Sequence, residues 1–173
     1  MFPGGNIVRV TPTVIAGTTA DDDVMFDATE IPNAVSSRGG VSKLIGITII
    51  DKVNEQHDMD IILMQKQTNF GTVDSASSIT RANLEASKII GVLGIDFTDG
   101  LSVFALSSGN AAVYTASSQL KGAQSTSTSV LPLLLQAEGG STSVYFTAIA
   151  NGLDIDYSST DDLEFVFHLE YLG

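Results

Sequence analysis

His57 stands beside Glu55, Gln56, Asp58 and Asp60. An imidazole with carboxylates so near in the chain could serve as a base or help hold a metal ion. The plainer expectation is a solvated polar turn. His168 lies on the polar side of an alternating segment, where a ligand role would need partners from neighbouring strands, so a surface or interface histidine is expected. Asp21, Asp22 and Asp23, and separately Asp154 and Asp156, offer the loop carboxylates that suit Ca²⁺. Neither stretch has the spaced Asp/Asn series and distal Glu of a calcium loop, and Asp96-Phe97-Thr98-Asp99-Gly100 breaks off at once. No serine sits in G-x-S-x-G, and there is no Walker motif and no H-E-x-x-H. Gly91-Val92-Leu93-Gly94 lacks the third glycine and the helix of a dinucleotide site. The expectation is a protein that is not an enzyme, with no catalytic, cofactor-binding or metal-ligating residues.

Composition narrows the partners. The chain has 173 residues and a net charge of −12. Its cations, Arg9, Arg38, Lys43, Lys52, Lys66, Arg81, Lys88 and Lys121, are scattered singly. No basic stripe exists to neutralise phosphates or an anionic membrane, so neither nucleic acid nor membrane is an expected partner. There is no cysteine, which removes disulfides and thiolate chemistry. No apolar run approaches the ~20 residues of a spanning helix. Met1-Phe2-Pro3-Gly4-Gly5 has neither the basic nor the apolar region of a secretory signal, so none is expected. Only 16% of residues are charged, against an ordinary quarter, with Ser, Thr and Gly in their place. That suits sheets with uncharged polar faces, and a surface covered by copies or partners.

The elements that must position these groups read as strands. Leu163, Phe165, Phe167, Leu169 and Tyr171 alternate with Glu164, Val166, His168 and Glu170, the period of a strand with one buried face. Residues 24–31 form another strand, with Val24, Phe26 and Ala28 on one side. Residues 42–51 are rich in isoleucine and apolar on both faces, which predicts a central strand covered on both sides. It is expected to pair antiparallel with residues 61–65. Residues 79–87 permit one or two helical turns. Residues 88–96 are a strand with internal glycines, 101–107 and 111–116 a hairpin through Ser108-Gly109-Asn110, 131–135 a buried loop or edge strand, and 143–150 a strand. Eight or nine short strands without long helices predict an all-β, jelly-roll-like antiparallel β-sandwich. The expected organisation is an N-terminal arm, residues 1–13, followed by the sandwich, residues 14–173. In the arm, Ile7, Val8, Arg9 and Val10 form a short stretch flanked by Pro3 and Pro12, suited to strand addition. The partner edge could be its own sheet, a sister subunit's or another protein's.

Several segments together resemble the decoration, or cement, proteins of tailed-phage capsids. They are Asn6-Ile7-Val8-Arg9-Val10-Thr11-Pro12, the glycine-rich Arg38-Gly39-Gly40 leading into residues 42–51, Asp60-Ile61-Ile62-Leu63, Ile89-Ile90-Gly91-Val92, and the turn Ser159-Thr160-Asp161-Asp162 feeding the terminal strand. The resemblance spans most of the chain and contains no catalytic residue. It implies a small β-sandwich virion protein, made in the host cytoplasm and placed on the capsid exterior. It further implies binding to the major capsid protein as an oligomer of identical chains, a trimer being expected, with Ile7, Val8, Arg9 and Val10 as contact residues. Residues 117–129 and 131–135 are the expected interface stretches between copies. The alternative is a receptor- or carbohydrate-binding module of a phage tail or fibre. That role commonly needs exposed aromatic rings, and the chain has no Trp and four Tyr, at 114, 145, 157 and 171.

Overall fold

The computed structural model of the chain describes residues 4–97, 101–107, 109–117, 131–152 and 154–172. Twelve strands lie within them: β1 (Gly5–Val10), β2 (Gly17–Thr19), β3 (Val24–Ile31), β4 (Val41–Asp51), β5 (Met59–Met64), β6 (Ile89–Ile95), β7 (Leu101–Leu106), β8 (Gly109–Ser117), β9 (Leu133–Gln136), β10 (Val144–Ala150), β11 (Ile155–Tyr157) and β12 (Leu163–Leu172). One helix, α1 (Arg81–Ser87), separates β5 from β6. Its first turn is capped by the Thr80 side chain, which accepts from the Asn83 amide at 3.2 Å. The larger sheet runs β1-β12-β4-β8-β7, with β9 also on β4, and the smaller runs β3-β10-β5-β6. Every strand pair is antiparallel. The two sheets pack as an all-β sandwich, with β2 and β11 forming a third, two-stranded piece.

The core lies between the sheets because each strand turns one alternating set of side chains inward. From β12 come Leu163, Phe165, Phe167 and Leu169, and from β4 Leu44, Ile47 and Ile49, all fully buried. The facing sheet supplies Phe26, Ile61, Leu63, Leu93, Phe146 and Ala148. Four phenylalanine rings meet at the centre: Phe146 lies 5.3 Å from Phe26, 5.0 Å from Phe165 and 4.9 Å from Phe167. Along one flank β9 comes close to β6. A Cβ added at Gly91 would meet Leu133 Cδ2 at 3.0 Å, so a larger residue there would make the Leu133 side chain shift.

Three local expectations change. Residues 42–51 and 61–65 do not pair. β4 bonds to β12, β8 and β9, while β5 lies in the other sheet between β10 and β6. The intervening polar segment crosses from one sheet to the other instead of closing a hairpin. β4 is central in its sheet, but Ile45 on its outer side is 39% exposed, so only one face is fully covered. In β3 the strict alternation fails. Register shifts against β10 put Met25 and Phe26 into the main core, while Val24 and Ala28 join a second cluster on the outside of the smaller sheet.

That second cluster is roofed by the segment between β5 and α1. Phe70 and Ile79 pack onto Val24, Ala28, Ile62, Met64, Tyr145 and Ile149. The same segment guards the edge strand β3: the Gln67 side chain donates to the Ala28 carbonyl, and Asn69 accepts from the Ala28 amide, each at 2.9 Å.

Candidate functional site

Two places gather the residues singled out by sequence: one end of the sandwich, around His57, and the outer face of the larger sheet, along β1 and β12.

At the end of the sandwich, the chain leaves β4 at Asp51 and turns sharply. The Asp51 carboxylate is buried and accepts three backbone amides, from Val53 at 3.0 Å, Asn54 at 2.9 Å and Gln56 at 2.8 Å. This cradle holds Asn54 and Gln56 in left-handed conformations, φ +64° and +53°. The result is to fold His57 inward. His57 was expected in a solvated turn; it is only 6% exposed, and its Nε2 has no hydrogen-bond partner among the described residues. Asp58 is structural as well, its Oδ1 accepting the Phe97 amide at 2.8 Å. Asp60 does not join them: it sits within β5, opposite Ile149 and Gly94. Burial raises the Asp60 carboxyl above its usual range.

Acidic loops surround this end. Asp21 accepts the Gly152 amide at 2.7 Å, and Glu55 accepts the Asp156 amide at 3.2 Å. Among the described residues, no group of three or more His, Cys, Asp or Glu side chains is arranged to hold a metal ion. Tyr157 is buried nearby. Burial first, then the carboxylates of Asp51, Glu55 and Asp162, pushes its hydroxyl far above the usual range.

Burial also pushes His57 below its usual pKa of 6.5, against the opposing pull of Asp58, Asp21, Asp154 and Asp51. The fold therefore favours neutral imidazole. His57 contributes its full stability above pH 6.5, and that contribution is lost as pH falls from 6.5 through the depressed folded value. The melting temperature of the wild type is expected to drop more steeply across this window than that of His57→Gln. Parallel pH profiles for the two proteins would show that His57 does not titrate differently on folding.

On the larger sheet, Ile7, Val8, Arg9 and Val10 form the body of β1. They pair in register with β12, with Ile7 opposite His168, Val8 opposite Phe167, Arg9 opposite Val166 and Val10 opposite Phe165. Of the three partner edges left open by sequence, the chain's own sheet is the one the structure contains. Strand alternation then divides the four residues. Val8 and Val10 are buried in the core, whereas Ile7 is 61% exposed and Arg9 reaches Glu164 at 2.7 Å. Only Ile7 and Arg9 are placed to touch a partner. Deleting residues 1–13 removes the burial of both valines, about 1.5–3 kcal/mol each. Calorimetry is expected to show the melting temperature falling by roughly 6–24 °C for a chain of this size. An unchanged melting temperature would show that β1 adds nothing to the fold.

His168 lies next along this face. Its Nε2 is 3.2 Å from Thr48 Oγ1, which in turn shares a hydrogen bond of 3.1 Å with Thr115 Oγ1. These three side chains form a polar row across β12, β4 and β8. Of the expected interface stretches, residues 118–130 lie outside the described residues. In 131–135, Leu131 and Leu135 are buried and Leu134 projects outward.

The tyrosines are engaged. Tyr114 and Tyr157 are buried. Tyr145 packs on the second cluster. The Tyr171 hydroxyl donates to the Asn33 carbonyl and accepts from the Asn6 side chain, both at 2.7 Å.

Fold and site together define an antiparallel β-sandwich with an acidic end and one open sheet face. No family model matches the chain, and no curated protein matches it.

Proposed function

We propose that this chain is a non-enzymatic structural protein of a tailed-phage virion, decorating and stabilising the capsid exterior by binding the major capsid protein as a homo-oligomer. The observation that carries this is the strand order. With the β7–β8 hairpin set aside, the chain builds two four-stranded arrays, β1-β12-β4-β9 and β3-β10-β5-β6. Every connection except β5 to β6 crosses from one array to the other. We read this order as a jelly roll, an architecture that recurs in viral capsid and lectin domains. Architecture alone does not assign a role. The resemblance to decoration proteins adds to it, and its segments fall on β1, β4, β5, β6 and the turn before β12.

The other jelly-roll role, sugar binding, finds less support. Sugar stacking asks for an exposed aromatic platform; all four tyrosines are buried or held by neighbours, and Phe104 alone is one open ring without the polar hydroxyl or indole that sugar sites commonly pair with stacking. The acidic end suits a protein partner with a basic patch, since opposite potentials steer encounter.

Co-sedimentation of the purified chain with heads of the phage whose genome encodes it tests the proposal. Saturable binding to the heads, weakened by salt, is the expected result. A chain that stays in the supernatant while binding a defined sugar on a glycan array would replace this role with the receptor-binding one.

A further inference from the structure

The two sheets are finished differently. The smaller sheet has much of its outer face roofed by Phe70 and Ile79, with Val92 on the edge strand β6 left exposed. The larger sheet has an outer face that leaves large apolar side chains open: Ile7, Phe104 and Leu134 are 61%, 52% and 55% exposed, and Ile45 and Leu106 join them. A solvated antiparallel sheet alternates apolar side chains inward with polar ones outward. Here Ile7, Ile45, Phe104, Leu106 and Leu134 face outward among polar and paired charged side chains, and exposed large apolar groups gathered on one face suit an interaction site.

We infer that this face is the surface on which a second copy of the chain packs, sheet against sheet. Charge selects that occupant. The ionised side chains on the face are paired, Arg9 with Glu164 at 2.7 Å and Lys43 with Glu170 at 3.4 Å. Strands β7, β8 and β9 carry no charged residue at all. The face is therefore neutral on a chain whose net charge is −12. Two such chains repel one another everywhere else and approach most easily here. The polar groups at its centre are already bonded to each other, His168 to Thr48 and Thr48 to Thr115, which lowers the cost of removing water from them.

Size agrees. Five strands abreast at ~4.8 Å, with lengths of roughly 20–36 Å, give a face on the order of 650 Å². That falls at the lower end of the roughly 600–1,000 Å² per partner of a standard stable interface. Aligned sheets pack face to face about 10 Å apart with their side chains interdigitated, which suits a flat face meeting its own copy. This inference rests on the exposed face and not on the capsid reading, and its test contains no capsid.

The chain lacks cysteine, so one introduced thiol is a unique reporter. Ile45→Cys places it on the open face, and Val92→Cys places it on the exposed outer side of the smaller sheet as a control. Sedimentation velocity is expected to show a concentration-dependent dimer. Maleimide labelling of Ile45→Cys is expected to slow by about tenfold or more as the dimer forms, while Val92→Cys is unaffected. Phe104→Glu and Ile7→Glu should each shift the protein to monomer while preserving a cooperative melt; Ile7, on an edge strand, serves if the Phe104 variant misfolds. A wild type that remains monomeric at about 100 µM overturns the inference. So does an assembly of any size in which Ile45→Cys stays fully reactive, or one that survives Ile7→Glu.

Discussion

Phe146→Ala is expected to cost about 3–5 kcal/mol of unfolding free energy, a large part of what holds an ordinary domain together. Phe146 is fully buried on β10 and makes two of the ring contacts that join the two sheets, Phe26 to Phe165 at 5.6 Å being another. It touches Phe26 in its own sheet and both Phe165 and Phe167 in the facing one, at centroid distances of 4.9–5.3 Å. Removing it leaves a cavity lined by three rings and ends three edge-on contacts, each of which adds to simple burial. Phe146→Leu keeps most of the volume and should lose only about 1–1.5 kcal/mol. Val92→Ala, on an exposed position, should change stability by less than about 0.5 kcal/mol. Urea titrations of the three variants provide the comparison. If Phe146→Ala lost no more than Phe146→Leu, the sheets would not be held together at this ring.

Asp51→Ala is expected to rank next, at about 3–5 kcal/mol. The carboxylate is buried and is the acceptor for the amides of Val53, Asn54 and Gln56. A hydrogen bond to a charged group contributes about 1.5–3 kcal/mol, and the three bonds share one acceptor, so their losses do not simply add. Without that acceptor, the left-handed backbone of Asn54 and Gln56 keeps only the side-chain bond from Gln56 Nε2 to Asn54 Oδ1 among the described hydrogen bonds of the turn. Asp51→Asn can still accept Val53 and Asn54 through its one carbonyl oxygen, and presents an NH₂ to the Gln56 amide, so roughly half the loss is expected. Amide exchange at Val53, Asn54 and Gln56 should accelerate in Asp51→Ala before the sandwich melts. Unchanged exchange there would mean that the turn is held by other contacts.

Both residues show where sequence reading stops. Alternation is local, so the inward set of β12, the hairpin of β7 and β8 and the short helix after Thr80 are all visible in the residues themselves. So is the all-β class. A period of two states that a strand has two faces; it does not state which other strand lies beside it. That is why β4 and β5, adjacent in the chain and both rich in isoleucine, read as a hairpin yet belong to opposite sheets. β3 misled for the opposite reason, since a shift against β10 swaps faces midway and leaves no mark in residue type.

The site residues follow the same division. Ile7, Val8, Arg9 and Val10 were visible as a short β-prone stretch, because branched side chains and flanking prolines are local signals. That Val8 and Val10 point into the core while Ile7 and Arg9 remain outside was decided by their register on β12. Asp51 gave no signal at all, since it reads as the acid that ends a strand. Its role exists only once three amides converge on it. His57 read as solvent-facing because its neighbours are polar, but the same Asp51 cradle turns it inward. Local pattern determined that this chain is made of strands and which of their residues are apolar. Long-range pairing and backbone convergence decided which strands meet, which face stays open and which acid is buried, because those depend on residues far apart in sequence that only folding brings together.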